Sequence, residues 1–137
     1  MATNIGVHFF DLLMWLFGGV QKSIVTAAEP DRMAGFLELE NANIRWYLSI
    51  RKEDLPAQPK QAQQSTFRSI IVDGKEIEFT EGFTNLHTRV YEETLRGNGF
   101  GIRDARPSIT LVHEIRNASI TPDPVYQHPF LLKGKKT

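Results

Sequence analysis

The stretch from residue 4 to residue 19, NIGVHFFDLLMWLFGG, decides the first element of the fold. Residues 5–17 are mostly apolar and contain no proline, and Thr3 or Asn4 can cap a helix that begins after them. Gly18-Gly19 ends the pattern, because glycine commonly follows the last turn of a helix. The stretch therefore predicts a largely buried helix over residues 5–17.

A polar stripe runs along this apolar helix. Asn4, His8, Asp11 and Trp15 are spaced by four, three and four residues, so a helix places them on one face. A buried polar group without a partner costs about 1–3 kcal/mol, so the stripe needs an explanation. One alternative is a core histidine that is hydrogen-bonded to Asp11. The other is a catalytic His8 supported by Asp11, because imidazole exchanges protons near neutral pH.

The rest of the chain predicts antiparallel strands followed by two helices. Strands are expected at residues 20–28, 33–40 and 44–50, and a second hairpin joins residues 66–72 to 75–80 through Asp73-Gly74. Helices are expected at residues 86–95 and 104–115, with Asp104 as a cap and Pro107 in the first turn. This order indicates the α+β class, with an open, mostly antiparallel sheet and helices on one face.

The length and composition of the chain are typical of one globular domain over residues 1–137. The chain is 41% hydrophobic and 23% charged, and 16 Lys plus Arg balance 16 Asp plus Glu, which argues against a dedicated nucleic-acid binder. No apolar stretch is long enough for a membrane helix. The absence of cysteine excludes disulfides and thiolate metal sites and permits the cytoplasmic location that we expect. Residues 52–65 predict a flexible loop, and residues 121–137 predict a loose tail.

Three further features leave alternatives open. Gly97, Gly99 and Gly101 follow a helix and lack the spacing of a dinucleotide loop, so we expect them to cap and connect helices. Arg68 is either a ligand for phosphate or carboxylate or an exposed strand arginine. Trp46 and Tyr47 are adjacent and point to opposite sides of a strand, so the second sheet face meets either another subunit or solvent.

The motif Asn4-Ile5-Gly6-Val7-His8-Phe9-Phe10-Asp11, followed by Trp15 and Gly18, resembles the helix that opens the second domain of the Gfo/Idh/MocA oxidoreductases. The later order of hairpins and helices is similar too, so the resemblance extends over nearly the whole chain. In that family a Rossmann domain holds the nicotinamide nucleotide, and the second domain carries the sugar site and packs against other subunits. Because the chain begins almost inside its first helix, we expect it to be a piece of a longer protein that is inactive without its missing Rossmann domain.

The resemblance also implies roles for single residues. His8 matches the family's histidine, which accepts a proton from the sugar hydroxyl as hydride leaves for NAD(H), while a lysine of the missing half assists. Many members carry aspartate where this sequence has Asn4, so we expect the Asn4 amide to position either a substrate hydroxyl or His8, with Asp11 supporting the site. The residue that selects NAD or NADP lies in the Rossmann half, so NADP stays open, and the chain itself would bind neither cofactor nor metal.

Three more segments narrow the resemblance to one branch. They are TFRSI at residues 66–70, GFT-x-LH at residues 82–87 and DARPSI at residues 104–109. They are similar to bacterial enzymes that oxidise UDP-N-acetylglucosaminuronic acid at carbon 3 for lipopolysaccharide O-antigen sugars. A diphosphate and a carboxylate on that substrate would suit Arg68. The resemblance thus implies a homo-oligomeric, NAD-dependent nucleotide-sugar dehydrogenase that associates through its open sheet face. From the balanced charge and the short apolar run we expect neither a nucleic-acid partner nor a membrane partner.

Two alternatives to this function remain at the level of sequence. The chain could be a sugar-binding and oligomerisation module without chemistry of its own, in which His8 is structural. It could equally belong to a dehydrogenase of the same family that acts on another sugar or polyol.

Overall fold

The structure is a computed structural model that describes residues 1–56, 66–80 and 85–133. In chain order its main elements are α1 (Val7–Phe17), β1 (Val20–Ala28), β2 (Arg32–Leu39), β3 (Ala42–Ser49), β4 (Ser69–Val72), β5 (Lys75–Glu78), α2 (Leu86–Leu95), α3 (Ile102–Asn117) and α4 (Pro129–Lys133). The helices and antiparallel strands confirm the predicted α+β class. The chain forms two compact units, Met1–Ile50 with Gly101–Thr137, and Arg51–Phe100.

The first unit is built on a three-stranded antiparallel sheet in the order β1-β2-β3. β1 has the predicted bounds, while β2 and β3 each end one residue earlier than predicted. Leu39 pairs with Ala42, so residues 40 and 41 alone connect β2 to β3, and β3 begins two residues before its predicted start at residue 44. The strand pairing favours Ala42 in the ladder because this extends the contact between the two strands.

The main core lies between this sheet and the two long helices. The ring of Phe10 meets the Trp46 indole edge to face, with 5.3 Å between the ring centres. In α3 the buried residues recur at the spacing of one helical face: Ser108, Leu111, Val112 and Ile115. α1 packs on α3, and α3 packs on β1, so both long helices cover the sheet face that carries Trp46.

Two glycines allow backbone and aromatic rings to pack closely in this core. Gly35 pairs with Trp46, and a Cβ atom at residue 35 would collide with the carbonyl oxygen of Ile24 and lie 2.6 Å from the indole. A Cβ atom at Gly6 would lie 2.9 Å from the ring of Phe10. Both positions therefore bring backbone and aromatic ring closer than any side chain would allow.

The starts of both long helices differ from their predictions. α1 begins at Val7 after a wide turn, Ala2–Gly6, in which the Gly6 N–H donates to the carbonyl of Met1 over 3.3 Å. Neither Thr3 nor Asn4 caps it, because the Met1 carbonyl already bonds the N–H groups of Ile5 and Gly6. The predicted cap of α1 is therefore wrong.

α3 begins at Ile102, two residues before the predicted start. The Asp104 carboxylate accepts the N–H of Gly101 over 2.7 Å, so Asp104 is the third residue of the helix and not its cap. Pro107 consequently lies beyond the first turn, which corrects its predicted position. The reason is that an aspartate can satisfy a helix start from either position, and sequence alone does not distinguish them.

The chain after α3 packs on the sheet face opposite the long helices. Ile120 pairs in parallel with Val25 at the edge of β1. The residue pairs that join the tail to the strands are Phe36 with Tyr126, Lys22 with Tyr126, Arg45 with Val125, Tyr47 with His128 and Tyr47 with Phe130. Tyr47 therefore faces the chain's own tail, and neither of the two predicted alternatives, another subunit or solvent, is right for this residue. The sequence predicts a loose tail here, and its described part, residues 121–133, carries these contacts.

The second unit contains helix α2 with its predicted bounds and the predicted hairpin, although β4 begins three residues later and β5 ends two residues earlier than predicted. Asp73 and Gly74 have φ angles of 49° and 80°, which is the conformation that a two-residue hairpin turn requires. Of the predicted flexible loop, residues 52–54 form a short helical turn, and residues 57–65 lie outside the described residues. No helix in the described parts of the chain is long and apolar enough to cross a membrane.

Candidate functional site

The orientation of α1 places the polar stripe on the surface. Gly6, Phe10 and Leu13 are buried and recur at spacings of four and three, so they form the inward face of the helix and its preceding turn. The stripe occupies the opposite face, and its four members are exposed: Asn4, His8, Asp11 and Trp15. The contact between Phe10 and Trp46 fixes this rotation of the helix.

His8 is thus a surface histidine, and the alternative of a satisfied core histidine is wrong. Among the residues that the structure describes, the imidazole of His8 and the carboxylate of Asp11 form no hydrogen bond to each other. Both lie on the regular part of α1, three residues apart, so both side chains can contact the same bound molecule. Asn4 lies in the wide turn before α1, so its spacing to His8 is not that of an ideal helix.

Apolar side chains accompany the stripe. Trp15 is 81% exposed, and Ile5 and Leu16 also present much of their surface to solvent. A rigid helix with an imidazole, a carboxylate and an exposed indole can position a polar ligand and exchange a proton with it. The stripe is therefore the candidate active surface of this chain.

Arg68 lies in the second unit, immediately before β4. Its backbone N–H donates to the hydroxyl of Thr80 over 3.1 Å, and its guanidinium donates to the carbonyl of Thr80 over 3.2 Å. The side chain is partly buried and held at the open end of the hairpin. A guanidinium in this position has a fixed direction, which suits the recognition of a phosphate or carboxylate.

The glycine-rich connection has the structural role that its spacing predicts. Gly97 follows α2 with a φ angle of 84°, and Gly101 precedes α3. The described residues there offer no strand–loop–helix cradle for a dinucleotide. Across residues 1–56, 66–80 and 85–133, no cluster of three histidine or carboxylate side chains could hold a metal ion.

The chain resembles solved structures over almost its entire length. The crystal structure of the WlbA (WbpB) dehydrogenase from Thermus thermophilus in complex with NAD and UDP-GlcNAcA is 48% identical over 94% of this chain, with a TM-score of 0.86. The chain is similar to part of the WlbA (WbpB) dehydrogenases. A structure of the Thermus thermophilus dehydrogenase with NAD and alpha-ketoglutarate is 49% identical over 95% of the chain, with a TM-score of 0.88.

These relatives confirm the resemblance that the sequence motifs indicate. The chain spans 42% of each of those dehydrogenase chains, so it corresponds to less than half of either relative. No family model matches the chain.

Sequence reasoning missed one candidate site, a cleft in the first unit lined by residues from β1, β2 and the tail. Its most buried polar member is Thr26, which the sequence presents as one residue of an ordinary strand. No local pattern could have found it, because the cleft exists only where the tail crosses the end of the sheet.

Proposed function

We propose that the chain is the substrate-binding part of a longer NAD-dependent dehydrogenase that oxidises UDP-GlcNAcA at carbon 3 in lipopolysaccharide biosynthesis. The observation that carries this proposal is the 48% identity, over 94% of the chain, with a dehydrogenase that binds NAD and UDP-GlcNAcA. The NAD-binding half and the assisting lysine belong, in this proposal, to the remainder of the protein.

His8 is the proposed general base. Oxidation of the sugar removes a hydride from carbon 3 and a proton from its hydroxyl, and NAD, when bound, takes the hydride. The exposed imidazole of His8 takes the proton, which it can do because a neutral imidazole has one ring nitrogen that accepts. Asn4 is proposed to donate its amide N–H to a substrate oxygen, and Asp11 is proposed to orient the imidazole or the substrate hydroxyls.

Arg68 is the proposed contact for an anionic group of the substrate. Its hydrogen bond to the carbonyl of Thr80 fixes the guanidinium. A phosphate or carboxylate of the substrate would accept hydrogen bonds from this guanidinium. Replacing Arg68 by lysine should raise KM more than it lowers kcat, because a lysine keeps the charge but not the forked geometry.

The test of His8 uses the complete protein. His8→Ala should lower kcat by about 100- to 10,000-fold, the range for loss of a general base, while the Kd for UDP-GlcNAcA changes little. His113→Ala is the matched control, because His113 is also exposed but lies on α3, outside the stripe. Near-normal turnover of His8→Ala would contradict the assignment and favour the non-catalytic module.

The identity of the substrate is tested by comparing the turnover of related nucleotide sugars. Turnover with UDP-GlcNAcA should exceed turnover with UDP-N-acetylglucosamine, which lacks the carboxylate. If free sugars or polyols are oxidised faster than both, the chain belongs to a dehydrogenase of different specificity.

We also propose that the protein forms a homo-oligomer through the sheet face that carries the tail. Three apolar residues of the tail leave about half of their surface exposed or more: Val125 at 64%, Phe130 at 46% and Leu132 at 50%. A second copy would bury them. Sedimentation of the complete protein tests this, and Val125→Glu with Leu132→Glu should weaken association. The cytoplasmic location remains a prediction.

A further inference from the structure

The outward face of α1 has a composition that is unusual for a surface in contact with water. The helix has one charged side chain, Asp11, among its 11 residues. α3 carries five charged side chains among its 16 residues: Arg103, Asp104, Arg106, Glu114 and Arg116. A helix that is apolar on nearly every side is normally buried, so the composition of α1 indicates that a further part of the protein covers its outward face.

The apolar groups of this face lie toward the end of the helix. His8, Leu12 and Leu16 follow one another at spacings of four residues, and Asp11 and Trp15 form the neighbouring row. The indole is the largest of these groups, since Trp15 is 81% exposed, and Leu16 is 48% exposed. The face therefore changes from an imidazole and a carboxylate at its start to apolar side chains at its end.

The proposed reaction determines which part of the protein approaches this face. Oxidation at carbon 3 sends a hydride to the nicotinamide ring, and it sends the proton of the hydroxyl on the same carbon to His8. The two acceptors must therefore approach neighbouring atoms of the substrate, each to roughly 3–3.5 Å. The part of the protein that holds NAD consequently lies against α1 near His8, a placement that rests on the proposed function.

Trp15 is close enough to His8 to belong to the same contact. Seven residues separate the two along α1, which is about 10.5 Å at a helical rise of about 1.5 Å per residue. Interfaces between domains of one chain bury roughly 600–1,500 Å² in total, so they are roughly 20 Å or more across. A tryptophan can bury roughly 150–250 Å² of that area, and buried aromatic side chains dominate the energetics of such contacts.

We propose that Trp15, Leu12 and Leu16 form the surface on which the NAD-binding part of the complete protein docks, with the Trp15 indole as its anchor. A second copy of this chain suits the surface less well, because it would bring a second His8 and no nicotinamide to the stripe. Docking there sets the distance between the nicotinamide and the substrate carbon beside His8, so Trp15 is a positioning residue.

The experiment is hydroxyl-radical footprinting of the complete protein, without NAD or substrate, read by mass spectrometry at Trp15 and Trp46. Trp46 is the internal reference, because it is 5% exposed in the core of the first unit. Trp15 should be oxidised about as slowly as Trp46, and at least about fivefold more slowly than in the unfolded protein, since the centre of an interface excludes water.

Three outcomes of the footprinting overturn the proposal. In the first, Trp15 is oxidised nearly as fast as in the unfolded protein, so nothing covers it. In the second, its protection appears only after UDP-GlcNAcA is added, which makes the substrate the partner. In the third, its protection is lost when an oligomer dissociates on dilution, which makes a second copy the partner.

Two variants of Trp15 test its positioning role in turnover. Trp15→Glu should lower kcat by about 10- to 100-fold at saturating NAD and UDP-GlcNAcA, because a small misplacement of reacting groups is costly. Trp15→Phe keeps an aromatic ring and should retain most of the activity. Thr110→Glu is the matched control, since it adds the same charge to the exposed face of α3 and should leave kcat unchanged. Equal kcat values for Trp15→Glu and Thr110→Glu would overturn the proposal.

The footprint and the turnover assay separate this proposal from the proposed function. A protein that oxidises UDP-GlcNAcA but leaves Trp15 reactive contradicts the docking surface alone. A protein that protects Trp15 in the way described but does not oxidise UDP-GlcNAcA supports the docking surface and contradicts the proposed substrate.

Discussion

Gly35 is a single residue that affects how closely helix α1 packs on the three-stranded sheet. The indole of Trp46 lies where a side chain at residue 35 would be, and the carbonyl of Ile24 closes the other side. Because Trp46 also contacts Phe10 of α1, the absence of a side chain at Gly35 indirectly fixes how the helix lies on the sheet. The outward direction of His8 depends on that packing.

Gly35→Ala should lower the free energy of unfolding by about 1–3 kcal/mol, because the new methyl group overpacks the core and backbone atoms cannot move aside cheaply. Denaturant unfolding measures the change. Gly19→Ala is the control: its Cβ atom would approach only the flexible carboxylate of Glu40, at 3.1 Å, and little change is expected. Equal effects in the two variants would show that loss of glycine itself, and not the contact with Trp46, is responsible.

His8 could be assigned as a candidate from spacing, but its exposure could not. An apolar helix with a polar stripe is compatible with two burial patterns, and the choice depends on which face meets the sheet. Gly6 and Phe10 decide it, because only that face fits closely against Trp46 and Leu48. The sequence therefore predicted the members of the stripe, and the packing determined that they are accessible.

At the scale of elements, α3 illustrates why helix boundaries were less predictable than helix existence. Its apolar spacing is strong and local, so the helix itself was expected. The first residue of the helix depends on whether the Asp104 carboxylate accepts an N–H from an earlier or from a later residue in the chain. The structure shows that it accepts the N–H of Gly101, three residues earlier.

Asp104→Ala should therefore destabilise the start of α3, by about 0.5–1 kcal/mol, because the Gly101 N–H loses its acceptor and the first turn loses a favourable negative charge. Thermal unfolding followed by circular dichroism measures this. Glu114→Ala serves as the control, since Glu114 is exposed in the last turns of the same helix, where a negative charge gives no such benefit. Destabilisation by Glu114→Ala as large as that by Asp104→Ala would reject the assigned role.

The strands were predicted to within a few residues at each end because alternation and the Asp73-Gly74 turn are local signals. The pairing of Leu39 with Ala42 was not predicted, since it depends on how many residues the two strands can align. The bulge at Thr26 was also not predicted, because its cause is the register between β1 and β2 and not a residue type.

At the scale of the whole molecule, the tail gives the first unit a second packed face. Tyr126 rests on Phe36 and accepts a hydrogen bond from the ammonium of Lys22, and Arg45 donates to the carbonyl of Val125 over 2.7 Å. The hydrogen bond to Tyr126 raises the pKa of Lys22 above its ordinary value. The charged ammonium is thus preferred in the folded chain.

This shift gives the attachment of the tail a pH dependence. Because the folded pKa of Lys22 is raised, its contribution is complete below the ordinary lysine pKa and is lost as pH rises through the raised value. The methyl NMR signals of Val125 should therefore move at strongly alkaline pH. Lys22→Met should produce much of that movement at pH 8, whereas Lys52→Met, which removes a different exposed lysine, should not. An unchanged spectrum for Lys22→Met would show that the other tail contacts hold the tail on the sheet without Lys22.

The sequence by itself determined the α+β class, the order of helices and hairpins, the stripe that contains His8 and the resemblance to a dehydrogenase family. These follow from residue spacing and turn chemistry, which act over a few neighbouring residues. Tertiary structure decided the rotation of α1, the tail on the second sheet face and the cleft at Thr26. Those features arise from contacts between residues far apart in the chain, and no local pattern encodes which of them will meet.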